Sequence, residues 1–157
     1  MTTNEPKTAG VIAPPPRLYF GAFALAFMAN VIFTLSISLS SSLLYLLSFI
    51  VFVLSAGFAR WAFVSMAKQG TSANPNKQSD ALITSGPFSI SRNPIYVAMT
   101  GFYLAATCVA HTVWPLFFLV PLIAIMHWGV ILREERYLAQ IFGESYSTYK
   151  STTRRWL

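Results

Sequence analysis

"LYFGAFALAFMANVIFTLSISLSSSLLYLLSFIVFVLSAGFA", Leu18 to Ala59, holds no Asp, Glu, Lys or Arg in 42 residues. A second uncharged block, Asn93 to Leu132, runs for 40. One bilayer crossing takes roughly 20 apolar residues as a helix, so each block is long enough for a hairpin of two crossings. Both bends are marked. "SISLSSS" (Ser36 to Ser42) interrupts the first block, and "HTVWP" (His111 to Pro115) puts polar residues, a tryptophan and a proline into the second. The expected fold is all-α, a polytopic membrane protein with four transmembrane helices over residues 18–39, 43–66, 93–111 and 115–132. These belong to a single domain, 18–157, behind a disordered cytoplasmic tail, 1–17.

Composition agrees with a lipid solvent. The 157 residues are 55% hydrophobic and 10% charged, against about 25% charged in soluble domains. All eleven Lys and Arg residues (Lys7, Arg17, Arg60, Lys68, Lys77, Arg92, Arg133, Arg136, Lys150, Arg154, Arg155) lie outside the two blocks and on one side of the four spans. By the positive-inside rule that side is cytoplasmic and holds both termini. The expected location is an integral membrane one, a bacterial inner membrane. Topology and anionic headgroups account for the net charge of +6, so no nucleic-acid partner is expected. The polar, Pro-rich leader "TNEPKTAGVIAPPPR" lacks a signal-peptide cleavage pattern, which makes the first helix a retained anchor. Cys108 is the one cysteine, so neither a disulfide nor a thiolate metal cluster is expected, and no metal is.

Chemistry then falls to the cytoplasmic loop Arg60 to Arg92 and the segment from Arg133. Gly70, Pro75, Gly86 and Pro87 break the loop, which is too short for a domain. Its apolar end, "ALITSGPF", is expected to lie on the membrane or re-enter between helices, as irregular backbone does when buried in protein. In the C-terminal segment Leu138, Ile141 and Phe142 share a helical face that Gly143 is placed to end, and Tyr146 and Tyr149 follow on a second short helix. Both read as interfacial helices. Arg92 precedes Asn93 and Pro94, and proline is tolerated in the first helical turn, so the arginine is held at a helix mouth. His127 sits within the apolar fourth helix, where an ionisable side chain is a functional candidate by default.

"TSGPFSISRNPIYVAM", followed beyond the second hairpin by "REERYLAQIFGESYSTYKSTTRRWL", resembles the membrane methyltransferases that include isoprenylcysteine carboxyl methyltransferase and the phospholipid N-methyltransferases. The residues that carry the likeness are Gly86, Pro87, Phe88, Arg92, Pro94, Tyr96, Glu134, Glu135, Leu138, Phe142, Gly143, Tyr146 and Tyr149. Asn93 and Ala98 stand where the family pattern has histidine and glycine. The resemblance implies S-adenosylmethionine as cofactor, S-adenosylhomocysteine as product, and membrane lipids or a lipophilic or lipidated acceptor as partner. It implies cofactor contacts at Gly86, Pro87, Phe88, Arg92, Asn93, Tyr96, Glu134, Glu135, Tyr146 and Tyr149, and catalytic roles for Arg92 and Glu134; His127 joins them as a catalytic candidate on its place in the apolar helix. Within it, Arg92 suits the α-carboxylate and Glu134 or Glu135 the amino group or ribose, while Phe88, Tyr96, Tyr146 or Trp156 suits the adenine.

Blander readings stand beside these. Arg92 alone would serve as a topogenic anchor, and Glu134 and Glu135, between Arg133 and Arg136, as a solvated cluster of weak pairs. Arg154 and Arg155 read as headgroup contacts, Tyr146 and Tyr149 equally as interfacial anchors, and His111 as a polar helix end. The rival class is a small four-helix transporter, or a structural membrane protein without catalysis, in which Gly101 and Ala105 would pack helices. Adjacent helix residues point about 100° apart, so the two glutamates are expected to face different surroundings; a seven-residue step aligns His127 with Glu134 and Trp128 with Glu135.

Overall fold

A computed structural model describes residues 8–70 and 81–157. Lys7, Pro75 and Lys77, with the start of the expected tail, lie outside the described residues. Four apolar helical runs follow one another. Helix α1 (Pro15–Ile32) opens on prolines whose missing N–H groups would be unpaired in a first turn anyway. Helix α2 (Ser41–Lys68) is capped by the Ser40 hydroxyl, which accepts from the Leu43 N–H at 3.4 Å, and carries Lys68 in its last turn. Helix α3 (Pro94–Val109) again starts on proline. Helix α4 (Trp114–Ile125) passes through a π-helical turn, Met126–Ile131, into α5 (Leu132–Thr152). Two of these runs, Ser41–Lys68 and Trp114–Thr152, are long and apolar enough to cross a membrane. The second has 39 residues but is broken at Gly143, and its apolar part, Trp114 to Leu132, is about 28 Å of helix, close to a hydrocarbon core of about 30 Å. Among the described residues β structure is limited to an isolated bridge, Ser36 to Thr112.

The first run stops at Ile32, short of the expected residue 39, because polar groups there find better partners than a helix gives them. The Asn30 Oδ1 accepts from the Leu35 N–H and the Thr112 hydroxyl, while the Val113 N–H donates to the Leu35 carbonyl and the Ile37 N–H to that of His111. The Trp114 indole closes the set on the Phe33 carbonyl at 2.6 Å. The two hairpin bends are therefore laced to each other. His111 takes part through its backbone, at φ 54°, and its ring lies on Tyr45.

Helix α3 is central, packed along α2 on one side and meeting α1 and α4 on the other. Gly101 lets α2 come close, since a Cβ there would collide with the Ser55 side chain, and the Ser48 hydroxyl donates to the Ala105 carbonyl at 2.9 Å. The Gly101 and Ala105 pair thus packs inside the chain. A second core joins Tyr19, Tyr103, Leu122, Met126 and Val130, with Phe23 and Tyr103 edge to face at 5.5 Å between ring centres. Outward, α1 and α2 expose large apolar side chains such as Phe20, Val31, Phe49 and Leu54, a surface suited to lipid or to another apolar partner rather than water.

The leader departs from expectation over residues 8–14. The Ile12 N–H donates to the Gly129 carbonyl at 3.2 Å, and Val11 packs on the second core, so this stretch is a strap laid on the π turn rather than a disordered tail. Its polar, Pro-rich composition hid two consecutive apolar residues, Val11 and Ile12, that find a partner only in the folded chain.

Candidate functional site

The site is built where the loop ahead of α3 meets the two halves of α5. Gly86 starts a short 3-10 turn, Gly86–Ser89, at φ 64°, a left-handed conformation that suits glycine, and its α-carbon lies close against Trp61 and Ser65 of α2. Pro87 is buried; its carbonyl accepts from the N–H groups of Ile90 and Ser91. The chain then reaches Arg92 through a turn at Ile90 and a bend at Arg92 itself, and the C-terminal residues run beside it. The Arg92 N–H donates to the Arg154 carbonyl at 2.9 Å, and the Asn93 Nδ2 and the Ser91 hydroxyl both donate to the Arg155 carbonyl. Asn93 is thus a clasp for the C-terminus.

Helix α5 breaks at Gly143 (φ 51°, ψ −120°), as the sequence anticipates, and the second half folds back over Arg92. Tyr146 and Tyr149 are buried there, rings 6.2 Å apart and edge to face, and the Tyr149 hydroxyl donates to the Phe88 carbonyl at 2.6 Å. Burial first, and then the charge of Glu135, push the Tyr146 hydroxyl up to about 12, against the lowering effect of the neighbouring Arg92 and Arg155.

The glutamates separate as their helix positions require. Glu135 sits inside a cation cluster: Arg155 meets it with two prongs, Nε at 2.7 Å and Nη2 at 3.0 Å, Arg92 Nη2 lies 3.2 Å from it, and the more exposed Lys150 3.8 Å. Burial alone would raise this carboxyl, but the Arg155 hydrogen bonds and the three positive charges outweigh burial and hold it below the usual carboxylate range. Glu134, beyond the apolar end of the helix run at Leu132, instead accepts from the Tyr96 hydroxyl at 2.7 Å. Burial pushes it up to about 7, against the lowering effect of that hydrogen bond. Behind Tyr96, Thr100 and Tyr19 continue the polar contacts, with the Thr100 hydroxyl donating to the Tyr96 carbonyl and meeting the Tyr19 hydroxyl at 2.8 Å.

Arg92 carries the unmet demand of this site. Its side chain is 8% exposed, Nη2 is engaged by Glu135, the Tyr146 hydroxyl lies beside the guanidinium, and Nε and Nη1 are buried without a well-aligned hydrogen bond. Buried donors left unpaired cost roughly 1–3 kcal/mol each and more when charged, so the guanidinium is suited to a further anion. The cluster carries surplus positive charge for one, since a single carboxylate, Glu135, faces Arg92 and Arg155 together. An amino-acid carboxylate beside buried tyrosine rings matches that donor set, and the residues present fit S-adenosylmethionine on those grounds.

His127 is not gathered in. It lies half-buried in the π turn with its ring against Trp128, and no hydrogen bond or ion pair among the described residues joins it to Glu134. The seven-residue alignment assumes an unbroken α-helix, and the wider π turn adds a residue that rotates the downstream helix by about 100°. Trp128, 65% exposed, faces outward. Arg155, read from sequence as a headgroup contact, is the main partner of Glu135, whereas the Arg154 side chain is exposed. No periodicity marks one arginine of the pair over the other; the signal that was available is that a buried carboxylate needs more than one cation.

A family model described as phospholipid methyltransferase matches residues 43–145, two thirds of the chain, from the start of α2 to just past the Gly143 break. The matched stretch holds Gly86, Arg92, Tyr96, His127, Glu134 and Glu135, and stops short of Tyr146 and Tyr149. No curated protein and no solved structure matches the chain.

Proposed function

The chain belongs to the phospholipid methyltransferase family, and on that premise we propose that it is an S-adenosylmethionine-dependent, isoprenylcysteine carboxyl methyltransferase-like enzyme that methylates a lipophilic acceptor. Its working form crosses a bacterial inner membrane four times with both termini cytoplasmic. One observation carries the cofactor assignment: a buried arginine with two donors lacking a well-aligned hydrogen bond, closed beneath a pair of tyrosines.

S-adenosylmethionine supplies, when bound, a methyl group on a sulfonium cation that a nucleophile takes by in-line displacement. The residues of the chain then have positioning and exclusion as their main work. Arg92 binds the α-carboxylate with the donors it has free. Glu135 keeps Arg92 and Arg155 in place and lends its charge to the amino end. Tyr146 and Tyr149, brought in by the Gly143 break, cover the ligand and exclude water. Glu134, titrating near neutrality, accepts the proton when the acceptor is an amine or a phenol, and stands aside when it is a carboxylate, which is already ionised. Gly86, Pro87, Phe88 and Asn93 act through backbone turns and clasps that hold this roof. An active site beside the bilayer favours acceptors that partition into it.

Calorimetric titration of detergent-purified protein with S-adenosylmethionine, followed by a labelled-methyl assay on a membrane lipid extract, tests this reading. Saturable binding and label in an extracted lipid are expected. Absence of cofactor binding would remove it.

A further inference from the structure

The strap over residues 8–14 has no part in the chemistry above, yet it grips the helix that carries both glutamates. Its Ile12 N–H donates to the Gly129 carbonyl, and the Arg133 Nη1, on the residue just before Glu134, donates to the Gly10 carbonyl at 2.8 Å. Gly10 bends the strap at φ 59°, and Val11 packs against the core that Tyr19, Met126 and Val130 share. Gly129 is buried and bare, and a Cβ there would collide with the end of the Ile12 side chain and lie 2.8 Å from its Cγ1. The strap therefore lies flush on the π turn and holds it from both sides of the junction with α5.

A π turn is rare because its wider ring interrupts the regular i to i−4 ladder, and it persists where surrounding contacts favour it. Here the wider turn sets the rotation of everything after Ile131, and that rotation puts Glu134, rather than a neighbour, against the Tyr96 hydroxyl. We infer that residues 10–12 form a positioning strap that clamps the π turn and so keeps Glu134 on Tyr96, with Gly129 the residue that admits it. The consequence for turnover rests on the methyltransferase reading; the docking of the strap does not.

Three variants of the full chain test this: Gly129→Ala, the double variant Gly129→Ala with Ile12→Ala, and Ile12→Pro. The second removes the atoms that a Cβ on residue 129 would meet while keeping the Ile12 N–H. The third removes that N–H in a stretch already rich in proline, without touching the helix. In Gly129→Ala and Ile12→Pro, amide exchange across residues 8–14 accelerates and turnover falls about tenfold to a hundredfold, as misplacement near 1 Å does. Cofactor affinity at Arg92 falls together with turnover, because Glu135 turns on the same helix, and the pH dependence of turnover shifts because Glu134 leaves Tyr96. In the double variant exchange and turnover both return toward the parent. Unchanged exchange in both single variants overturns the inference, as does lost turnover that the double variant fails to restore. Were the parent itself to bind no cofactor, the enzyme reading would fall, and the exchange measurements would still decide whether the strap clamps the turn.

Discussion

Arg92 and Glu135 share a contact yet differ in what their removal exposes. Lysine at position 92 keeps a charge for topology but loses the planar guanidinium, so Arg92→Lys is expected to weaken S-adenosylmethionine binding about tenfold or more with membrane insertion intact. Equal affinity, measured by calorimetry, would return Arg92 to the status of an anchor. Glu135→Gln leaves Arg92 and Arg155 facing each other without a countercharge, and its expected signature is a fall in stability of up to about 3 kcal/mol, read as a lowered unfolding midpoint in detergent. Because the folded pKa of Glu135 is depressed, its stabilising contribution is present above the ordinary carboxylate value and is lost as pH falls through the depressed one. Glu134 behaves oppositely. Its folded pKa is raised, so its contribution is present below the ordinary value and is lost as pH rises through about 7. Where an acceptor needs deprotonation, turnover should fall toward tenfold per pH unit below about 7, and Glu134→Gln should lose both the limb and most of the rate. A Glu135→Gln variant that kept both full stability and full cofactor affinity would contradict this division of labour. The separation of the two glutamates was legible in the sequence, since neighbours on a helix cannot face one ligand equally. The partner of Glu134 was not, because Tyr96 lies 38 residues away across a hairpin whose packing no local pattern encodes.

Three glycines do different work for their helices and turns, and the differences are measurable. Gly143 has a backbone conformation that L residues rarely adopt, with open space where a Cβ would stand. Gly143→Ala therefore reads backbone strain alone, of the order of 1–3 kcal/mol. The variant should relax by straightening α5, which withdraws Tyr149 from Phe88 and lowers cofactor affinity in the same titration. Full affinity would show that the second half of α5 is seated by its side chains regardless of the break. Gly129 poses the reverse case, with packing and no positive φ, and Gly86 combines both constraints. The break at Gly143 was readable because glycine after an apolar helical face is a local signal. The π turn was not: "MHWGVI" carries no mark of it, and the contacts that accompany it come from residues more than a hundred positions earlier. The same long-range cause shortened α1, whose last apolar residues were exchanged for hydrogen bonds to the second bend.

At the scale of the whole molecule, each described Lys and Arg lies toward the end of the bundle opposite the two laced bends. On the proposed four crossings the bends lie outside. In a Cys108→Ser background, a cysteine at exposed Ser38 should react with an impermeant reagent added to intact cells, and one at exposed Gln69 should react after lysis alone. Labelling of position 69 in intact cells would invert the arrangement. The uncharged blocks made an all-helical membrane protein visible from composition alone, since a lipid solvent admits few alternatives. What composition could not show is that the two ends of the bundle differ mechanically. At one end the Asn30, Thr112 and Trp114 side chains and the Ser36 bridge tie both hairpins together. At the other, the roof over Arg92 is held by carbonyl clasps from the last few residues. The laced end is a fulcrum. Pivoting about it would spread the helices most at the far end, so that on the proposed methyltransferase reading a small tilt opens the aperture through which a soluble cofactor and a lipid both arrive.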